Sequence, residues 1–264
     1  MLRNVFLKTL RDGRRGLVGW TIALVLIVLL ETALWPAMPD MAEMEKLLAS
    51  YPEVMRELFN LDDFATGTGF LNAELYSALL PILFLVHGIG HGGRAIAGEE
   101  AAGTLEVLLT RVSPVRLPPE RAAALAVQVA ALGLALFVAV VACSAIFGLG
   151  VTVAAAATGS LAMVLLGVEF GWLALAIGAA TGRRALAVSA AAAAAVAGYV
   201  LYVAGALLPA VEPWQPVSPF HQAIEGGPLG AGLPPAYGWM LLAGAVVVLA
   251  ALPTFDRRDI HAHL

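Results

Sequence analysis

The chain has 264 residues, of which 60% are hydrophobic and 13% are charged, and its mean hydropathy is +0.86. Soluble domains carry roughly 25% charged residues, so this composition excludes an ordinary soluble domain and predicts an all-α membrane protein. The formal net charge of −4 does little to distinguish between classes of protein, because the positive and negative charges lie in different parts of the chain. The single cysteine, Cys143, cannot form an intrachain disulfide, so we expect no such cross-link in the fold.

The chain begins with a basic amphipathic segment, residues 1–16, in which apolar residues and arginines fall on different sides of a helix. This pattern favours a helix lying along the membrane interface. The apolar run over 17–36 is longer than the hydrophobic region of a signal peptide and is predicted to be span 1. Acidic residues dominate 37–69, which we expect to form an external cap of short helices.

Five more spans are predicted, so the chain forms one transmembrane domain, 1–264, with six transmembrane helices. Glycines at four-residue spacing, Gly167/Gly171 and Gly178/Gly182, favour close helix packing. The remaining elements, in chain order, are span 2 (70–97), an amphipathic segment (98–114), span 3 (120–147), span 4 (151–181), span 5 (185–208), an external loop (209–235) and span 6 (236–253).

The lysines and arginines predict the orientation of these spans. Of the 15 such residues, only Lys46 and Arg56 fall on one side of the predicted map. The positive-inside rule therefore predicts that both termini are cytoplasmic. The amphipathic segment 98–114 is then cytoplasmic as well.

The segment 98–114 is too short and too polar to cross a bilayer, and it has the pattern of a surface helix. Pro114 is expected to end this helix, and Gly103 inside it costs about 1 kcal/mol relative to alanine, which weakens the prediction of a continuous helix. These residues alone leave two alternatives equally open: docking in a groove of a soluble partner, or lying flat on the lipid headgroups. The predicted apolar side holds Ala101, Leu105, Leu108, Leu109 and Val112, and the polar side holds Glu99, Glu100, Glu106 and Arg111.

Several polar residues fall inside predicted spans, and three of them stand out: Glu169 near the middle of span 4, His87 well inside span 2, and His91 one turn further on. A charged residue there costs about 2.5–3.5 kcal/mol on insertion scales, so it normally faces a partner or a wet cavity. One interpretation is that these three residues line or support a transport path. The other is a buried polar contact between helices, or a protonated Glu169. Gln128 and Glu31 are weaker candidates, and Glu31 lies close to the outer interface.

A rival hypothesis is an intramembrane metal- or haem-binding enzyme that uses His87 and His91 with Glu169. The two histidines are spaced i, i+4, as in metal-ligand pairs. The sequence has no HExxH motif, no histidine pair on a second span and no serine or cysteine arranged with a base. We therefore predict no metal site and no catalytic residue in this chain.

The segment around Gly103 resembles the permease subunit of type-2 ABC exporters, whose second span leads into an AGEE-x-x-GTLE-x-LL pattern. The matching residues are Ala97-Gly98-Glu99-Glu100, Gly103-Thr104-Leu105-Glu106 and Leu108-Leu109. The sequence departs from the family at Val112-Ser113-Pro114, where the proline more often comes first. Weaker similarities are the arginine-rich start before a long span, Tyr51-Pro52-Glu53 leading to Gly69-Phe70-Leu71 and Ala73-Glu74-Leu75, and Ser218-Pro219-Phe220-His221 followed by Gly227-Pro228-Leu229.

The resemblance implies a six-span permease of the plasma (cytoplasmic, inner) membrane, working as a homodimer or heterodimer with two cytosolic ATPase subunits. The coupling helix that docks on the ATPase would be the 99–111 segment. The loop with Ser218, Pro219, Phe220 and His221 would form short re-entrant helices near the external gate. The implied coupling residues are Glu99, Glu100, Gly103, Thr104, Leu105, Glu106, Leu108, Leu109 and Arg111.

ATP and Mg would bind the partner subunit, and we expect no cofactor in this chain. Its only lysines, Lys8 and Lys46, are not preceded by the glycine pattern of a phosphate-binding loop. The alanine-rich spans suggest a hydrophobic or amphipathic small-molecule substrate for efflux, although ordinary close helix packing gives the same composition. No nucleic-acid partner is expected. A membrane anchor that recruits an ATPase without transporting remains a further alternative.

Overall fold

The computed structural model describes residues 4–37, 50–52, 55–56, 63–110, 112–230 and 232–258. Most of the predicted external cap, and Arg111, lie outside these residues. The described residues form helices, 3₁₀ turns and one π-helical segment, and none of them is in a strand. Six helices are long and apolar enough to cross a membrane. The predicted all-α fold and its six candidate spans are confirmed.

The ten α-helices in the described part of the chain differ greatly in length, because short helices lie between the long ones. A π-helical segment, Asn72–Leu79, joins α2 to α3, so these elements form one candidate span, Gly67–Ala95. The α-helices are α1 (Val5–Leu34), α2 (Gly67–Leu71), α3 (Leu80–Ala95), α4 (Ala97–Ala101), α5 (Leu105–Leu109), α6 (Leu117–Phe147), α7 (Val153–Thr181), α8 (Arg184–Leu207), α9 (Pro219–Ile224) and α10 (Ala236–Asp256).

Helix α1 is one continuous helix of 30 residues, about 45 Å long at 1.5 Å per residue. This differs from the prediction of an interfacial helix over 1–16 followed by a separate span. The basic part does not bend away because it packs against α6. The backbone N–H of Phe6 is 3.3 Å from a carboxylate oxygen of Glu120, and a Cβ added at Gly13 would lie 2.4 Å from the Gln128 side chain.

Helix α7 is the centre of the bundle and packs against α3, α6, α8 and α10, whereas α1 packs mainly against α6. The closest approach is between α3 and α7. A Cβ added at Gly88 would lie 2.1 Å from the Gly167 carbonyl oxygen, and one at Gly92 would lie 2.0 Å from that of Gly171. Backbones can approach this closely only where side chains are absent. The close packing predicted for Gly167 and Gly171 is therefore present.

Polar contacts bring the start of α1 and the end of α10 to the same end of the bundle. We call this end, where α6 and α8 also begin, the basic end. The short helices α4 and α5 lie here. Gly103 separates them with a φ of +68°, a backbone conformation that favours glycine. The single helix predicted over 98–114 is thus two short helices with a left-handed turn between them.

Candidate functional site

The first candidate site is a set of ion pairs at the basic end, formed by the two glutamates of α4. Glu99 Oε1 lies 2.8 Å from a guanidinium nitrogen of Arg121 in α6, and 3.9 Å from Lys8 Nζ in α1. Arg121 also donates to Thr9 Oγ1 at 3.0 Å. Thr104 Oγ1 donates to the second carboxylate oxygen of Glu99. Glu99 therefore connects α4 to α6 and α1.

The surroundings of Glu99 keep it ionised. Burial alone raises the pKa of its carboxyl. Hydrogen bonds from Thr104 and Arg121, together with the charges of Arg121 and Lys8, outweigh this effect and hold the pKa below its ordinary value. Arg121 is only 5% exposed, so its guanidinium needs the Glu99 charge nearby.

Glu100 makes a separate connection to the opposite side of the bundle. Its Oε1 lies 2.6 Å from Arg258 Nη2, just beyond the end of α10. Arg258 Nη1 donates to the Ala179 carbonyl oxygen at 2.6 Å. Ala179 is in the last turn of α7, where unsatisfied carbonyls and the helix dipole attract a cation. Two consecutive glutamates thus connect one short segment to α1, α6, α7 and α10.

The predicted apolar face of the segment is largely used inside this chain. Leu105 is 1% exposed and belongs to a small apolar cluster with Ile96, Leu117 and Phe255. Leu108 and Leu109 are half-buried. Leu105 therefore packs within this chain, whereas Ala101 of the same predicted face is exposed. Among the residues of 97–110 whose side chains the structure describes, those that are exposed are Ala101, Ala102, Gly103, Thr104, Glu106 and Thr110.

The histidines His87 and His91 lie on the side of α3 that faces α1 and α6. Their rings stack with centroids 4.2 Å apart, and Trp20 packs edge-on against His87. His91 Nδ1 is 2.9 Å from the His87 carbonyl oxygen, and His91 lines a cavity of about 200 Å³ with Arg121 and Gln128. Among the residues that the structure describes, no group of three or more His, Cys, Asp or Glu side chains is placed to hold a metal.

Glu169 lines a different and larger cavity, of about 720 Å³, bounded by α7, α9, α10 and the 3₁₀ segment Glu212–Val217. His221 of α9 lines the same cavity. The structure therefore brings Glu169 together with His221, whereas His91 lines the other cavity. The three residues expected to share one path, His87, His91 and Glu169, are thus divided between two places in the bundle.

The loop residues Ser218, Pro219, Phe220 and His221 begin α9, which packs against α7, α8 and α10. Ser218 is 1% exposed; its hydroxyl donates to the Gly198 carbonyl oxygen of α8 at 2.7 Å and accepts from the backbone N–H of Phe220. This is the usual helix-capping role of serine. Phe220 is buried among aromatic rings of α7 and α8.

Comparison with protein-family models, curated proteins and solved structures gives no match to this chain. The resemblance to exporter permeases therefore rests on the motif residues alone.

Several residues of these sites carry little signal in the sequence. Arg121 and Arg258 are 22 and 158 residues from their glutamate partners, so nothing local indicates the pairing. Asn72, in the π-helical segment, accepts a hydrogen bond from the backbone N–H of Leu229 at 3.2 Å and thereby holds the loop after α9. A buried amide in an apolar span needs hydrogen-bond partners, and this requirement could have singled it out.

Proposed function

We propose that this chain is the transmembrane subunit of an ATP-driven exporter of the plasma membrane. Two permease copies, or two related permease chains, form the pathway, and separate cytosolic ATPase subunits bind the 97–110 segment. The observation that carries the proposal is the arrangement of this segment. It has an exposed surface at the basic end, and its two glutamates form ion pairs with Arg121 of α6, Lys8 of α1 and Arg258 after α10, which in turn donates a hydrogen bond to the last turn of α7.

This arrangement suits a segment that transmits movement. Helices α4 and α5 have five residues each, and isolated helices of that length are unstable in water. Their positions depend on Glu99, Glu100 and Leu105, which fix them to the bundle. A protein pushing on the exposed surface would therefore displace α1, α6, α7 and α10 rather than deform a loop.

The proposed docking surface differs from the one that the apolar pattern suggested. It consists of the exposed turn between α4 and α5, together with the outward-facing Glu106 and Thr110. This surface favours a soluble partner over lipid headgroups, because its exposed described residues are small or polar and include no large apolar side chain. The clustering of arginines at this end supports a cytoplasmic location.

The ATPase is placed on a separate subunit because this chain has no phosphate-binding loop of its own. A membrane anchor that binds an ATPase without moving a substrate would use the same surface. Transport in vesicles separates these two functions, because an anchor would bind the ATPase and move nothing.

The test is co-purification of this chain with the products of the neighbouring genes, with ATPase subunits expected among them. We expect Glu106→Arg to reduce ATPase binding at least tenfold, because it reverses a charge on the exposed surface. Arg184→Glu is the matched control, since Arg184 is also exposed at the basic end but lies at the start of α8. ATPase binding that survives Glu106→Arg and Ala101→Trp would overturn the proposed docking surface. The absence of any ATPase partner of the wild-type chain would overturn the proposed function.

A further inference from the structure

The cavity that contains Glu169 is open to the surface, and its size would admit a small-molecule ligand. Trp239, Val217 and Val246 in its wall are each more than half exposed. Its volume is about 720 Å³, within the range of roughly 300–1,000 Å³ found for sites of drug-sized ligands. Most of its wall is apolar, with Trp239, Leu242 and Val246 from α10 and Val217 from the 3₁₀ segment before α9.

Glu169 is the one carboxylate among the described residues of this wall. Its Oε2 is buried and accepts no hydrogen bond from any described residue. Two of the other polar side chains of the wall, His221 and Gln222, lie close to polar groups other than Glu169. His221 Nδ1 lies 2.9 Å from a carboxylate oxygen of Glu225, and Gln222 donates to the Pro216 carbonyl oxygen at 2.8 Å.

No lysine or arginine is among the described residues that line the cavity. A carboxylate in an apolar wall is costly unless an opposite charge or hydrogen-bond donors face it. A ligand that carries a positive charge on an apolar body would complement both the carboxylate of Glu169 and the apolar wall around it. Its charge would lie at Glu169 and its apolar groups against Leu242 and Val246, and the ring of Trp239 offers a further surface that attracts cations.

We propose that this cavity binds a lipophilic organic cation, whose charge is neutralised by Glu169. The binding itself does not depend on an ATPase. That such a cation is the exported cargo rests on the function proposed above.

The experiment uses the purified full-length protein in detergent and two probes of nearly the same shape and opposite charge, tetraphenylphosphonium and tetraphenylborate. Binding is measured by equilibrium dialysis and by quenching of tryptophan fluorescence, since Trp239 lines the site. We expect Glu169→Gln to weaken tetraphenylphosphonium binding at least tenfold relative to the wild type. Tetraphenylborate binding should be unchanged or stronger, because the variant removes a negative charge.

Two further variants control this result. Glu74→Gln removes an exposed carboxylate of the second span that does not line the cavity, and it should leave tetraphenylphosphonium binding unchanged. Leu242→Trp fills the cavity while keeping Glu169, and it should weaken tetraphenylphosphonium binding severalfold in a protein that remains monodisperse. This second variant tests the cavity even where Glu169→Gln alters folding.

Equal tetraphenylphosphonium affinity in the wild type and in monodisperse Glu169→Gln would overturn the assignment. The assignment would also be overturned if Glu74→Gln lost as much tetraphenylphosphonium affinity as Glu169→Gln. That result would indicate nonspecific partition of the probe into the apolar surface and its bound detergent. Failure of this proposal is distinguishable from failure of the exporter function. If an ATPase co-purifies with the chain but cation binding does not depend on Glu169, only the ligand proposal is overturned. If the chain binds the cation through Glu169 but has no ATPase partner, only the exporter proposal is overturned.

Discussion

Glu100 and Arg258 are 158 residues apart in the sequence, and their charged groups are 2.6 Å apart in the structure. Arg258 also donates to the Ala179 carbonyl oxygen at the end of α7. The pair therefore joins the segment after α3 to the ends of α7 and α10. Because the two side chains are 25% and 20% exposed, their attraction is only partly screened by solvent.

The first prediction concerns this pair. We expect Glu100→Ala and Arg258→Ala each to destabilise the protein, with a coupling free energy of about 1 kcal/mol in a double-mutant cycle. Arg258→Ala should cost more than Glu100→Ala, because it also removes the bond to the Ala179 carbonyl. The measurement is the free energy of unfolding in mild detergent. Strictly additive effects of the two substitutions would contradict the pairing.

The Glu99–Arg121 pair should matter more to stability than the Glu100–Arg258 pair. The Arg121 side chain is 6% exposed, so Glu99→Ala leaves a buried guanidinium with Thr9 as its remaining side-chain partner. Breaking a buried pair in this way costs about 3–5 kcal/mol. Glu99→Ala should therefore lower stability more than Glu100→Ala does. Adding Arg121→Leu to Glu99→Ala should restore part of the lost stability, because it removes the unpaired guanidinium. If stability is not restored, the unpaired charge of Arg121 is not the cause of the loss.

Stability should also fall at acidic pH through Glu99. Its pKa lies below the ordinary value of 4.5 in the folded protein, because the bonds from Thr104 and Arg121 and the nearby charges outweigh the effect of burial. The stabilising contribution is therefore fully present above pH 4.5 and is lost as the pH falls through the lower folded-state pKa. The measurement is thermal unfolding of the wild type and of Glu99→Gln across this range. The difference in melting temperature between the wild type and Glu99→Gln should become smaller as the pH falls. A difference that stays constant would contradict a stabilising role of ionised Glu99.

The six spans were predictable because hydropathy is a local property of the sequence. The close approach at Gly167 and Gly171 was also predictable from their four-residue spacing. The sequence could not predict that Gly88 and Gly92 face these glycines, because the spacing of residues on one helix does not show which helix packs against it. The continuity of α1 likewise depends on contacts with α6 that lie more than 100 residues away in sequence.

The candidate site was predicted less completely than the fold. A helical projection placed Glu99 and Glu100 on a solvent-facing side, since charged residues are usually exposed. Their partners come from distant parts of the chain and turn both side chains inward. The same projection placed Leu105 on an exposed apolar face, whereas in the structure it packs into the apolar cluster with Ile96 and Leu117.

The glycine contact between α3 and α7 gives a prediction with an internal control. A Cβ at Gly88 would lie 2.1 Å from the Gly167 carbonyl oxygen, so Gly88→Ala should push the two helices apart and cost about 1–3 kcal/mol. A Cβ at Gly90, on the same helix, would meet nothing closer than 3.5 Å. Gly90→Ala should therefore be neutral or stabilising, since alanine favours a helix by about 0.5–1 kcal/mol. Equal melting temperatures for the two variants would contradict this packing.

Leu105 and Glu106 are neighbours in α5 with opposite expected roles. Leu105→Ala removes a fully buried side chain from the apolar cluster and should cost about 2–5 kcal/mol of stability. Glu106→Arg changes an exposed side chain and should leave unfolding unchanged while reducing ATPase binding. Measuring both properties on both variants separates a packing residue from a docking residue. A Leu105→Ala protein of wild-type stability that had lost ATPase binding would show instead that this leucine faces the partner.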